Sequence, residues 1–164
     1  MSDEPHHVLY LCTGNSARSI MAEVLMNHLG RGQFNAFSAG SYPTGTVNPF
    51  AIETLRTMGL PTDGLRSKSW NEFATPNAPA LDFVFTVCDN AAGKVCPVWP
   101  GKPMTAHWGV EDPAAFHGPE EKKRESFHCV ARILRRRIEL FISLPLAKLD
   151  AMTIQNALRE IGTR

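Results

Sequence analysis

A cysteine and an arginine six positions apart, Cys12 and Arg18 in "LCTGNSARS", carry the first chemistry legible in this chain. A thiolate is a strong nucleophile, and a guanidinium is a planar fork of donors suited to a tetrahedral oxyanion. Val8 to Leu11 is a short apolar run, and Ile20, Met21, Val24, Leu25 and Leu29 recur at helical spacing up to Gly30. The intervening residues therefore join a strand to a helix N-terminus, where backbone N–H groups and the positive end of the helix dipole converge on one point. Thr13, Gly14, Asn15, Ser16 and Ala17, with Arg18, are the candidate oxyanion holders. Gly14 permits an inward turn and Asn15 tolerates left-handed dihedrals. The same positive environment is expected to lower the Cys12 pKa, with Ser19 and Ser16 as hydroxyl donors to the sulfur.

The elements that must position this loop alternate along the chain. A second strand, Phe34 to Ala39, ends at Gly40. A loop, "SYPTGTVNP", leads to a helix that Asn48 caps and Pro49 opens, closed by Gly59. A short helical candidate lies at Ser69 to Phe73, and "DFVFTVC" fits a strand covered on both faces. A fourth strand is expected at Met104 to Trp108. From Pro119, the stripe Phe127, Val130, Leu134, Ile138 and Phe141 predicts one long helix, ended by Pro145, with a final amphipathic helix over Leu146 to Ile161. Alternating strands and helices with short links predict a three-layer α/β fold with a four-stranded parallel sheet, in which ligands bind at the strand C-termini. Cys12, Cys88 and Asp112 all follow such strands.

At 164 residues, 43% hydrophobic and 20% charged, the chain fits one domain. Seventeen basic and sixteen acidic side chains leave a formal charge of +1, which gives no global field for nucleic acid or an anionic membrane. The polar start "MSDEPHH" has no apolar segment behind it, and no run approaches a membrane span, so a cytoplasmic protein is expected. In that compartment the four cysteines are more simply catalytic, metal-binding or buried than paired in disulfides.

"CTGNSARS" after a first strand resembles the active-site loop of the low-molecular-weight protein tyrosine phosphatase fold, Cys-x5-Arg-Ser. The following "MAE" and the later "SAG" are similar to its arsenate reductase branch. The resemblance runs from about Val8 to Leu144 and leaves the final helix outside. It implies sheet order 2-1-3-4, Cys12 as nucleophile, Arg18 and the loop amides as anion holders, and Ser19 as the hydroxyl that lowers the thiol pKa. It also implies Asp112 in "EDPAA" as general acid, a residue that by itself reads as an ordinary Asp-Pro turn.

Phosphatase and reductase chemistry both begin with thiolate attack on a tetrahedral oxyanion. A reductase also needs electrons, which two further thiols can supply by leaving a disulfide. Cys88, at the end of the strand expected beside that of Cys12, and Cys96, reached through a segment containing Gly93, fit a Cys12–Cys88–Cys96 relay. Ala114 and Ala115 stand where phosphatases of this fold carry aromatic residues, which tells against an aryl substrate. Two features depart from the branch: Ala17 replaces a frequent extra cysteine, and the Cys88 to Cys96 spacing is one residue longer than in thioredoxin-linked members. The reductant is therefore thioredoxin or a glutaredoxin/glutathione system. No organic cofactor is expected. Some relatives bind potassium beneath the loop, at positions matching Asn15, Glu23 and Ser38, with Asp63 as candidate fourth ligand. The alternatives are a phosphomonoester phosphatase and a non-enzymatic anion-binding redox sensor.

Other features have plain readings. Cys129 is expected as a half-buried packing residue, Arg135 to Arg137 as a solvated helix face, and His6 and His7 as a disordered end. The gaps between Cys88, Cys96, His107 and His117 match no zinc pattern. Trp99 and Trp108 are cleft walls or core.

Overall fold

In the computed structural model, which describes residues 4–88, 99 and 101–164, the order of the chain is strand β1 (His6–Cys12), helix α1 (Arg18–Leu29), β2 (Phe34–Gly40), α2 (Pro49–Thr57), β3 (Phe83–Thr86), β4 (Met104–His107), α3 (Glu120–Ile142) and α4 (Ala151–Ile161). All pairings are parallel, and the sheet order is β2-β1-β3-β4. The α/β class and strand order expected above are those the chain adopts. Cys12 is in register with Gly40, and Leu11 with Thr86. The active ends of the three strands thus lie at one level.

The two-residue period of β1 divides the core. Val8, Tyr10 and Cys12 face α1, α2 and α3, together with Phe83 and Phe85. Leu9 and Leu11 face the other way with Val84, Leu81, Phe73 and Trp99. Both tryptophans are core. Trp108 is fully buried, stacks on Phe85 at 3.9 Å between ring centroids, and donates from Nε1 to the Leu158 carbonyl at 3.0 Å. Trp99 meets Trp70 edge-on at 6.2 Å.

Local signals account for most helix boundaries. Asn48 Oδ1 accepts from the Phe50 N–H at 2.8 Å, with Pro49 in the first turn. Ser69 caps the 3₁₀ turn Trp70–Phe73. The final helix is shorter than the sequence pattern predicts. Leu146–Lys148 forms a separate 3₁₀ turn, Leu149 is extended, and Asp150 starts the helix by accepting from the Thr153 N–H at 2.7 Å. The apolar periodicity runs across this break, so the cap alone marks it. α4 covers β4, the edge of the sheet: Gln155 Nε2 donates to the Thr105 carbonyl at 2.8 Å, and a Cβ on Gly162 would stand 2.4 Å from the His107 carbonyl.

Three further expectations are corrected. His6 and His7 are the first residues of β1, held by parallel pairing to Phe34 and Asn35. Cys129 is exposed, because it falls between the buried positions Phe127 and Val130 on the outer side of α3. Arg135 and Arg136 are exposed as expected, but Arg137 is only 6% exposed. One of its terminal nitrogens donates to the carbonyls of Trp108, at 2.7 Å, and Gly109, at 3.0 Å. Its place next to Ile138 on the buried side of α3 outweighs its charge, and its target is the chain leaving β4 toward Asp112.

Removing that donor leaves two carbonyls without their partner. Arg137→Met is expected to lower unfolding stability by about 1–3 kcal/mol. Urea denaturation measures it, and a loss under about 0.5 kcal/mol, the range of a surface substitution, would contradict the buried role.

Candidate active site

The loop from Cys12 to Arg18 is held by its carbonyls. Those of Cys12, Thr13, Gly14 and Ser16 accept from the N–H groups of Ser41, Tyr42, Thr44 and Asn48, at 3.2, 2.9, 3.0 and 2.8 Å. Ser67 Oγ adds a second donor to Gly14 at 3.0 Å. With their oxygens engaged by the β2–α2 connection, the peptide units turn their N–H groups the other way, that of Thr13 to Cys88 Sγ and that of Asn15 to Cys12 Sγ. No side chain caps α1, so its first-turn amides also remain for a ligand. Asn15, fully buried, takes φ 47°, the left-handed region its residue type tolerates. Gly40, in the sequence only the end of a strand, belongs to the site. A Cβ there would lie 2.5 Å from the Thr13 carbonyl, so only glycine lets β2 end against the loop.

Cys12 Sγ accepts from the Asn15 N–H at 3.2 Å and lies 2.9 Å from Ser19 Oγ. Ser19 Oγ accepts the Asn15 side-chain N–H at 2.8 Å, which leaves its own hydrogen to point at the sulfur. Asn15 is fixed in turn by the Lys68 N–H, which donates to its Oδ1 at 2.9 Å. Cys88 meets the same loop, and its sulfur accepts from the Thr13 N–H at 3.2 Å. Parallel pairing puts it there: the Val87 N–H donates to the Leu11 carbonyl, and Cys88 is the next residue.

The expected lowering of the Cys12 pKa is not what this arrangement produces. A hydrogen bond with the Cys88 thiol and burial hold the Cys12 thiol well above its ordinary value, and Ser19, through its hydroxyl and its amide, pulls the other way. A second thiol beside the first competes for the same proton, an effect that a reading of the Cys12 loop alone leaves out.

Arg18 is 16% exposed. Nη1 donates to the Val110 carbonyl at 3.1 Å, and Nη2 stands 3.7 Å from Asp112 Oδ2. The other carboxylate oxygen of Asp112 accepts from the Ala114 N–H at 3.0 Å, capping the 3₁₀ turn Pro113–Ala115. Cys12, Arg18, Ser19, Cys88 and Asp112, drawn from four places in the chain, are thus brought together. The Ala17 side chain packs in the core, so only its backbone is open to an anion role. Cys96 lies outside the described residues.

Beneath the loop, Ser38 Oγ donates to Glu23 Oε1 at 2.6 Å, and Lys68 Nζ stands 3.7 Å from the same oxygen. Asp63, the remaining candidate potassium ligand, is exposed. Among the described residues no three His, Cys, Asp or Glu side chains gather to hold a metal. Ser67 and Lys68 escape a sequence reading because "RSKS" has the composition of an ordinary polar connection.

Fold and loop together define a class: parallel α/β proteins with a cysteine at the end of the first strand and a tight loop from it to the first helix. Residues 7–152 match the family described as low molecular weight phosphotyrosine protein phosphatase, and the chain belongs to that family. An arsenate reductase of Bacillus licheniformis is 38% identical over 135 residues, covering 82% of this chain and 93% of that protein. A solved arsenate reductase in its phosphate-binding state superposes with a TM-score of 0.67 at 27% identity, over 84% of this chain and 97% of its own. A thioredoxin-dependent arsenate reductase of Corynebacterium glutamicum gives 0.57 at 25% identity, over 85% of this chain and 65% of its own.

If Cys88 raises the Cys12 pKa, removing its thiol must lower it. In Cys88→Ala, the pH midpoint for iodoacetamide alkylation of Cys12, followed by peptide mass mapping, is expected to move to lower pH. A midpoint that stays or rises would contradict the shared proton.

Proposed function

We propose that this chain is an arsenate reductase that moves the electrons through Cys88 and Cys96 to a dithiol protein. One observation carries the reading: a second thiol, Cys88, meets the loop of the nucleophile, its sulfur accepting from the N–H of Thr13, the residue after Cys12, at 3.2 Å. A phosphatase of this fold needs one thiol, and hydrolysis moves no electrons. Similarity to the arsenate reductases supports the substrate, and Ala114 and Ala115, standing where phosphatases of this fold carry aromatic residues, tell against an aryl phosphate.

The steps follow from the residues. Arsenate enters the loop and takes the loop amides and the Arg18 guanidinium, which releases its hold on the Val110 carbonyl. With the proton that the two thiols share resting on Cys88, Cys12 attacks arsenic(V) as a thiolate stabilised by the Ser19 hydroxyl and the Asn15 N–H, and an arsenate hydroxyl leaves as water with a proton from Asp112. Cys88 then gives its proton to solvent and, as thiolate, attacks the Cys12 sulfur. The S–As electron pair stays on arsenic, which leaves as arsenite, and a Cys12–Cys88 disulfide forms. Cys96 then attacks the Cys88 sulfur, which frees Cys12 as thiolate and leaves Cys88–Cys96 for the external reductant. Similarity to a thioredoxin-dependent enzyme favours thioredoxin over a glutaredoxin/glutathione system. A reaction that starts from reduced thiols suits the cytoplasm. Among the described residues no helix is long and apolar enough to cross a membrane.

Arsenate-dependent NADPH oxidation through thioredoxin reductase and thioredoxin tests the reading. Cys12→Ser and Arg18→Ala are expected to abolish it, and Asp112→Asn to slow it without unfolding the protein. Cys96→Ser is expected to trap Cys12–Cys88 after one turnover, seen by non-reducing peptide mapping. Turnover of an aryl phosphate with no thiol requirement and no arsenate-dependent oxidation would decide for a phosphatase. Full multiple turnover by Cys88→Ser would refute the relay.

A further inference from the structure

The layer beneath the Cys12 loop ends on an ammonium group. Lys68 Nζ, on a side chain 9% exposed, donates to the Arg66 carbonyl at 2.9 Å and faces Glu23 Oε1 at 3.7 Å. The same oxygen accepts from the Ser38 hydroxyl at 2.6 Å. One residue thus contacts the site twice. The Lys68 side chain anchors the segment to Glu23, and its backbone N–H holds Asn15 Oδ1, so that Asn15 Nδ2 meets Ser19 and the Ser19 proton meets Cys12. Burial pulls the Lys68 pKa below its ordinary value, and the charge of Glu23 opposes that pull. A nearly buried charge persists where an opposite charge answers it.

The potassium set suggested by the family does not fit these residues. An alkali cation needs several oxygens with lone pairs turned toward it and a surplus of negative charge. Here Asn15 Oδ1 is occupied by an N–H donor, and Glu23 Oε1 already accepts from the Ser38 hydroxyl and faces the ammonium. Asp63 shares with Glu23 only the lining of a cavity of about 190 Å³, alongside the cationic Arg31.

We propose that Lys68 is the resident cation of this site: its ammonium does for the Glu23–Ser38 layer what a bound potassium ion would do, and so holds Asn15 and Ser19 in register with Cys12. Lys68 is a positioning residue and touches no reacting atom. The inference rests on the loop geometry and not on the identity of the electron donor, so its failure and that of the reductase reading are separable.

The test uses the full-length protein in potassium chloride, sodium chloride and tetramethylammonium chloride at equal ionic strength. Alkylation of Cys12 is followed against pH, as is its protection by inorganic phosphate. The wild type is expected to give the same pH midpoint, phosphate protection and melting temperature in all three salts. Lys68→Met, which keeps the volume and removes the charge, is expected to move the midpoint to higher pH, because Ser19 no longer donates squarely to the sulfur. It is also expected to weaken phosphate protection by about threefold to tenfold. A saturable gain of the wild type in potassium over tetramethylammonium would overturn the proposal, and that comparison needs no variant. So would a folded Lys68→Met protein with the wild-type midpoint and phosphate affinity.

Discussion

Everything in this site depends on where Cys12, Thr13, Gly14 and Ser16 send their carbonyl oxygens. A loop whose N–H groups turn toward the cysteine sulfurs has to turn the matching oxygens away and satisfy them elsewhere, because a buried carbonyl left without a donor is costly. The segment from Ser41 to Asn48 supplies those donors, with Ser67 behind it. Gly40 lets that segment come close enough to do so. The β2–α2 connection, polar and without regular structure, is therefore the mould of the anion site.

That mould also places the two thiols. β1 and β3 are paired in register up to Leu11 and Thr86, so the chains leaving them run side by side, and Cys88 reaches the Thr13 N–H. Competition for a proton follows from their meeting at one loop. The charged groups beside the thiols have partners of their own: Arg18 is held by Val110 and Asp112, and Asp112 by the Ala114 N–H. In the proposed reaction an oxyanion would exchange partners with groups already in place, which keeps the cost of reorganisation low.

Support extends outward from the site in two directions. Below it, Glu23, Ser38 and Lys68 carry a buried charge pair whose backbone end orients Asn15. Beside it, the chain leaving β4 toward Asp112 is fixed at its root. Trp108 is stacked on Phe85 and hydrogen-bonded to α4, and its carbonyl accepts from Arg137. α4, which lies largely beyond the matched family region of residues 7–152, thus supports the segment leading to Asp112 through Trp108 while covering the edge of the sheet.

The amino-acid sequence by itself determined what depends on neighbours in the chain or on period. These are the four strands and their order of appearance, the Asn48–Pro49 helix start, the long stripe of α3, and the Cys12 to Ser19 loop between strand and helix. Each is a short-range property of residue type, and periodicity and capping act within a few positions. Only the tertiary structure decided what depends on which distant segments meet. It drew His6 and His7 into the sheet, buried Arg137 against two carbonyls, and left Cys129 outside. It put the ammonium of Lys68 on Glu23, 45 positions away in the numbering, and set Cys88 beside Cys12 so that the thiol expected to lose its proton readily is held to it. The physical reason is common to all of these. Burial and electrostatic environment are made by the packed neighbours of a group, and no local pattern of residue types records which neighbours those will be.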